Sequence, residues 1–113
     1  MNEFDETRLR DILDETRIVK AFIAGHTRSD LDANTMLAYA VIRAVEVIGE
    51  AAARVTEETR LQYSHIMWKN IIGMRNRIVH NYNNVNLDIV WQVASQNLPE
   101  LEQQLAIILN DKQ

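Results

Sequence analysis

The densest group of chemically capable side chains lies in ten residues, Gly73-Met74-Arg75-Asn76-Arg77-Ile78-Val79-His80-Asn81-Tyr82, which carry two guanidiniums, an imidazole, two amides and a phenol. Such a set suits attack on an RNA phosphodiester by the neighbouring 2′-hydroxyl. That reaction needs a base for the hydroxyl, a proton for the departing 5′-oxygen, and positive charge on the developing phosphorane. An ordinary imidazole titrates near about pH 6.5, so His80 can move protons around neutrality. Arg75 offers a permanently charged, planar fork for phosphate oxygens. Asn76 can orient the imidazole or touch phosphate. No metal is needed in this scheme, and no cofactor is expected. The same residues also have plain structural uses, since histidine often caps a helix C-terminus and helical arginines are usually solvated. Residue types alone leave both open.

Charge is distributed in favour of the same segment. The chain of 113 residues carries a formal net charge of −4, yet from Thr59 to Leu87 there is no Asp or Glu, while Arg60, Lys69, Arg75 and Arg77 contribute +4. The rest of the molecule therefore carries −8. An acidic body with one basic segment fits a local phosphate site, with Lys69 and Arg77 as the expected RNA contacts, better than general binding of DNA.

Other residues are less promising as chemistry. There is no cysteine, which excludes a disulfide frame and a Cys-ligated zinc site. His26 and His65 lack carboxylates at ligand spacing, so no metal centre is expected. Glu46 and Glu50, four apart, are better read as partners of Arg43, Arg54 or an arginine of the 73–82 segment. Trp68 and Trp91 fall at core spacing. No run reaches the roughly 18 apolar residues of a membrane span, and the acidic, polar start lacks the order of a signal peptide. The expectation is a cytoplasmic protein with no membrane partner.

The elements that must hold the segment read as all-α: one domain over 1–113, an up-and-down bundle of four to five helices. Leu9, Ile12, Leu13, Thr16, Val19 and Ile23 mark a first helix stopped by Gly25. Ser29 or Asp30 caps a second, with Leu31, Leu37, Ala38, Val41, Ile42, Val45, Ile48, Ala52 and Val55 on one face and small residues at 49–53 for close approach. A polar hinge over 56–64 precedes a third, carrying Ile66, Met67, Ile71, Ile72, Met74, Ile78 and Val79 and ended by the Asn-rich stretch 81–86. Leu87, Val90, Trp91, Ala94 and Leu98 give a fourth, and Pro99 opens a fifth bearing Leu101, Leu105, Ile108 and Leu109. No sheet is expected. If the third helix runs through His80, Asn76 and Arg77 share a face with it, whereas Arg75 sits about 140° away. A two-fold homodimer would answer that by bringing two copies of Arg75 and His80 to one cleft.

The chain resembles the HepT-like family of HEPN proteins, in which an Arg is followed four to six residues later by His and, in one subgroup, by a Tyr two further on. Here the pattern is Arg75, His80 and Tyr82. Residues 40–43, 46–51, 68–76, 85–91 and 97–99 also resemble the family, so the likeness runs nearly the full length. Asn86 stands where the family often has Asp, and Ser64-His65 where it often has a proline turn. The resemblance implies a HEPN fold, homodimerisation and a metal-independent endoribonuclease leaving a 2′,3′-cyclic phosphate and a 5′-hydroxyl. The RNA would be tRNA or mRNA. It further implies the toxin half of a type II/VII-like toxin–antitoxin module, whose antitoxin is a minimal nucleotidyltransferase that places AMP on the tyrosine corresponding to Tyr82. A different class of reading keeps the fold without the activity: an adaptor whose groove binds a nucleotidyltransferase or a nucleotide.

Overall fold

The computed structural model describes residues 1–81 and 84–111, and of His80 and Asn81 only the backbone. Within these residues the chain is helical, apart from one small β-ribbon.

The first helix, α1 (Glu3–Ile23), starts because the Asn2 side chain accepts a hydrogen bond from the Asp5 N–H and three acids occupy the first turn. It stops before Gly25, whose φ of 78° breaks the helical path. Leu9, Ile12, Leu13, Thr16 and Val19 are buried, as their spacing predicts. The expected second helix divides into α2 (Asp30–Ala33) and α3 (Thr35–Arg54). Asn34 causes the division: its backbone is extended, and its side chain accepts from the Leu37 N–H to cap α3. One face of α3, including Val41, Val45, Ile48 and Ala52, packs against α1 and the later helices as the central core.

The 56–64 stretch is not a hinge but contains a further helix, α4 (Glu57–Gln62). Thr56 caps it, and Glu57 and Glu58 sit against the positive end of its dipole. The expected third helix is likewise broken, into α5 (Trp68–Ile72) and α6 (Met74–Ile78), with Gly73 at the joint. A Cβ at Gly73 would lie 3.1 Å from the Lys69 carbonyl oxygen, so the joint is tightest where glycine stands. Met67 is exposed rather than part of an apolar stripe, because α5 begins only after it.

Beyond Ile78 the backbone turns extended, and β1 (Val79–Asn81) pairs antiparallel with β2 (Asn84–Val85). Val79 lies opposite Val85, with an irregular register between Val79 and Asn81. The Asn86 N–H closes the base of the ribbon on the Ile78 carbonyl at 2.8 Å. β-Branched residues on both arms favour this pairing over another helical turn.

The fourth and fifth helices form one rod: α7 (Leu87–Gln92), a π-helical turn (Val93–Asn97) and α8 (Leu98–Ile108). Proline inside a helix clashes with the carbonyl four residues back. The wider π turn immediately before Pro99 relieves that clash while keeping Val90, Ala94, Leu98, Leu101 and Leu105 buried in one seam.

Candidate functional site

Arg75, Asn76 and Arg77 all lie on α6, and the helix sends them in different directions. The buried side of α6 is Met74 and Ile78. Arg75 flanks it toward α3, where its Nε donates to Glu46 Oε2 at 3.0 Å. Arg77, two positions on and about 200° round the axis, is half-buried on the side facing the π turn and α8. Asn76 is exposed.

The Arg75–Glu46 pair realises the expected pairing of a second-helix carboxylate with an arginine of the motif segment. The Arg75 side chain is 55% exposed and that of Glu46 29%, so the pair adds little to stability. Its consequence is directional. Glu46 engages Nε only, and among the described residues neither terminal nitrogen of Arg75 is hydrogen-bonded. The fork is therefore anchored at its inner edge with its outer edge presented to solvent, which is the side a phosphate would approach. Gly49, one turn along α3, faces the end of α5, where a Cβ would meet the Ile72 carbonyl oxygen at 3.4 Å, an ordinary contact.

The helical relation between His80 and Asn76 or Arg77 does not hold. α6 ends at Ile78, so His80 belongs to β1 and has no i−4 or i−3 helical neighbours. Because the backbone leaves the helix at Val79, the helical angle of about 140° between Arg75 and His80 no longer applies. The His80 side chain and the whole of Tyr82 lie outside the described residues. Lys69 is exposed on α5, with no ion pair among the described residues.

A groove of about 940 Å3 lies elsewhere, between α1 and α3, and its charged lining is Glu3, Asp11, Asp14, Glu15 and Glu50 against Arg8 and Arg54. Burial and the adjacent Asp14 hold the Glu15 carboxyl above its ordinary range, with Arg43 opposing. A groove of that sign repels phosphate, so its size does not make it an RNA site.

One structural assignment holds, that of Trp68, while His26 has a carboxylate neighbour that its sequence reading left out. Trp68 is a core residue whose Nε1 donates to the Arg60 and Tyr63 carbonyls, both at 3.2 Å. His26 contacts Asp30 at 3.0 Å, and among the described residues no three His, Asp or Glu side chains converge as a metal site requires. No described helix is long and apolar enough to cross a membrane.

One polar position escaped the sequence reading. Asn97, in the π turn, has its Oδ1 buried without a hydrogen-bond partner among the described residues. Nothing in the local sequence marks it except the proline two residues later.

Comparison with known proteins bears on this geometry. Residues 12–108 match the family described as "Ribonuclease HepT-like". A protein of Caldanaerobacter subterraneus subsp. tengcongensis named "Putative RNase" is 36% identical over 101 residues, covering 89% of this chain and 90% of the relative. One of Methanocaldococcus jannaschii with the same wording in its name is 30% identical over 100 residues, covering 88% and 92%. The "Probable ribonuclease HepT" of Thermococcus cleftensis is 27% identical over 94 residues, covering 83% and 86%. No solved structure matches the chain at the same stringency. The match extends from α1 through the arginine-bearing helix α6 to the end of α8, and the chain belongs to the HepT-like ribonuclease family.

Proposed function

We propose that this chain is the toxin ribonuclease of a type II/VII-like toxin–antitoxin module and cleaves RNA without a metal. The observation that carries the reading is Arg75, presented on an acid-free surface segment with its inner nitrogen held by Glu46 and its outer edge open. In the proposed reaction the 2′-oxygen attacks phosphorus as its proton passes to a base. Arg75 binds the charge that grows on the phosphoryl oxygens, and the 5′-oxygen leaves as it takes up a proton. The products are a 2′,3′-cyclic phosphate and a 5′-hydroxyl. His80 moves the protons, Asn76 assists, and Lys69 and Arg77 contact the RNA chain.

Two partners belong to the same reading. A second copy of the chain supplies another Arg75 and His80 to the cleft. A minimal nucleotidyltransferase antitoxin adds AMP to Tyr82, placing phosphate charge two residues from His80 and repelling the substrate's own phosphate. The intact mass of the chain co-produced with such a partner should rise by one AMP group, and a Tyr82→Phe variant should show no increase.

Cleavage of a labelled RNA in EDTA tests the chemistry. The wild-type protein should cut, and Arg75→Ala and His80→Ala should each cut on the order of 10²-fold more slowly while melting like the wild type. Loss of cleavage in EDTA, or undiminished cleavage by both variants, would overturn the reading.

A further inference from the structure

An open groove of about 390 Å3 lies where α4, the turn over 63–67 and the first residues of α5 meet. Its floor is buried Ile66 and the little of Trp68 that stays exposed. Leu61 and Met67 form its sides and are 68% and 63% exposed, so both apolar side chains stand in water. A ligand with an apolar face would recover that cost. The rim is polar, with Ser64 and Asn70, the cations Arg60 and Lys69, and Glu57 as its one acid. Arg60 is fixed against the end of α3, its Nε donating to the Val55 carbonyl at 3.0 Å and its Nη2 reaching the Ala53 carbonyl at 3.5 Å. Among the described residues its Nη1 has no such partner, and Lys69 is exposed.

These features call for a flat apolar face flanked by negative charge. An unpaired nucleotide has both, and its base can lie on a thioether and a leucine while its phosphates meet the cations. A docked amphipathic helix would need apolar anchors spread over about two turns, and this groove offers a single apolar spot. The Ser64 hydroxyl and the Asn70 amide each donate and accept, so the rim suits any base edge. Position points the same way. Arg60 and Lys69 belong to the acid-free run that carries Arg75, and α5 leads through Gly73 into α6. Lys69 and Arg75 are six residues apart, about 9 Å along the path of the two helices.

We propose that the α4–α5 groove is a stacking subsite for one unpaired nucleotide of the RNA, close to the one that is cut. The base rests between Leu61 and Met67, and Arg60 and Lys69 hold the phosphates beside it. The site takes any base, so it selects single-stranded RNA and not a sequence. The assignment rests on the ribonuclease reading above and adds to it the place where the strand is gripped.

Binding of the full chain to a 2′-O-methyl oligonucleotide, which lacks the attacking hydroxyl, tests the groove apart from catalysis. Followed by fluorescence anisotropy, a variant with Leu61→Ala and Met67→Ala should bind about tenfold more weakly with an unchanged salt dependence, since only base contact is lost. Lys69→Ala should lower the slope of log affinity against log salt by about one. All three residues are exposed, so the variants should melt like the wild type. A single abasic position moved along the oligonucleotide should weaken wild-type binding about tenfold at one place, and should have no effect there on the double variant. Wild-type affinity in the double variant, or an abasic effect equal in both proteins, would overturn the proposal. Unchanged RNA affinity together with lost binding of an acidic, leucine-containing peptide would overturn it in favour of a protein partner. The expected binding effects in a chain that cuts no RNA would reject the ribonuclease reading and leave the groove assigned. Cleavage by a wild type whose groove variants bind RNA normally would do the reverse.

Discussion

An unrestrained arginine side chain has about 2 kcal/mol of rotamer entropy to lose when it settles on a phosphate. Arg75 has already lost part of it, because Glu46 fixes the inner nitrogen. In the proposed reaction the carboxylate would also put negative charge near the approaching RNA and weaken ground-state binding. Orientation and affinity are therefore opposed at this pair, and removing Glu46 should separate them. Glu46→Ala is expected to lower kcat by about tenfold, since small misplacements of a charge-stabilising group are costly, while KM for RNA stays level or falls. Glu46→Asp should recover part of kcat. Steady-state cleavage assays distinguish this from a purely structural role, which would lower the melting temperature and leave kcat of the folded fraction unchanged. A wild-type kcat in Glu46→Ala would show that Arg75 needs no such guide.

One short helix ahead of the motif, α4, is tied down by a side-chain clasp. Asp5 has no exposed surface, and its carboxylate accepts hydrogen bonds from the Thr56 N–H at 3.1 Å and from the Thr56 and Thr59 hydroxyls at 2.6 Å, tying α1 to the start of α4. Burial pushes this carboxyl up, but the bonds from Thr56 and Thr59, with Arg8 nearby, bring it net below the ordinary range. A depressed folded-state value means the stabilisation is full above the ordinary carboxylate range and fades as pH falls through the folded value. Asp5→Asn should therefore lower Tm by roughly 5 °C at neutral pH, and the gap to wild type should close on acidification between about pH 5 and about pH 2. A gap that stays constant across that range would show that the charge on Asp5 is not what holds α4. The clasp joins residues 51 and 54 positions apart, which no local period announces. The apolar faces of α1 and α3 were legible because each helix repeats its own period. The ribbon at 79–85 was not, since Val79 fits a helical stripe as well as a strand until Val85 pairs with it. The π turn was hidden because the buried seam keeps helical spacing through it, leaving Pro99 as its single trace. At the site, the type of partner for Glu46 could be read from charge, whereas the burial of Asn97 Oδ1 goes with that hidden turn.

At the scale of the whole molecule, the outward faces of α1 and α3 carry several exposed apolar residues beside the acids of their groove. Phe4, Ile18 and Phe22 on α1 and Met36 and Tyr39 on α3 are exposed, Phe4 by 74% and Met36 by 81%. They border the α1–α3 groove or lie along the same faces, and the side of α3 that carries Tyr39 also carries Glu46, the anchor of Arg75. A standard interface removes about 800 Å2 from each partner, a modest share of the 6931 Å2 surface of this chain. Burying these faces against a second copy would set two Arg75 side chains along the rim of one cleft and shield the apolar residues. Replacing Phe22 and Tyr39 with Glu should then give a monomer by light scattering, with wild-type helicity by circular dichroism and cleavage lost. Mixed dimers of wild-type and His80→Ala chains add the decisive comparison. Shared acid and base duty predicts far less than full activity in the heterodimer, whereas two independent sites predict about half. A wild-type chain that is monomeric and fully active would remove the dimer from the mechanism and require one Arg75 and one His80 to act alone.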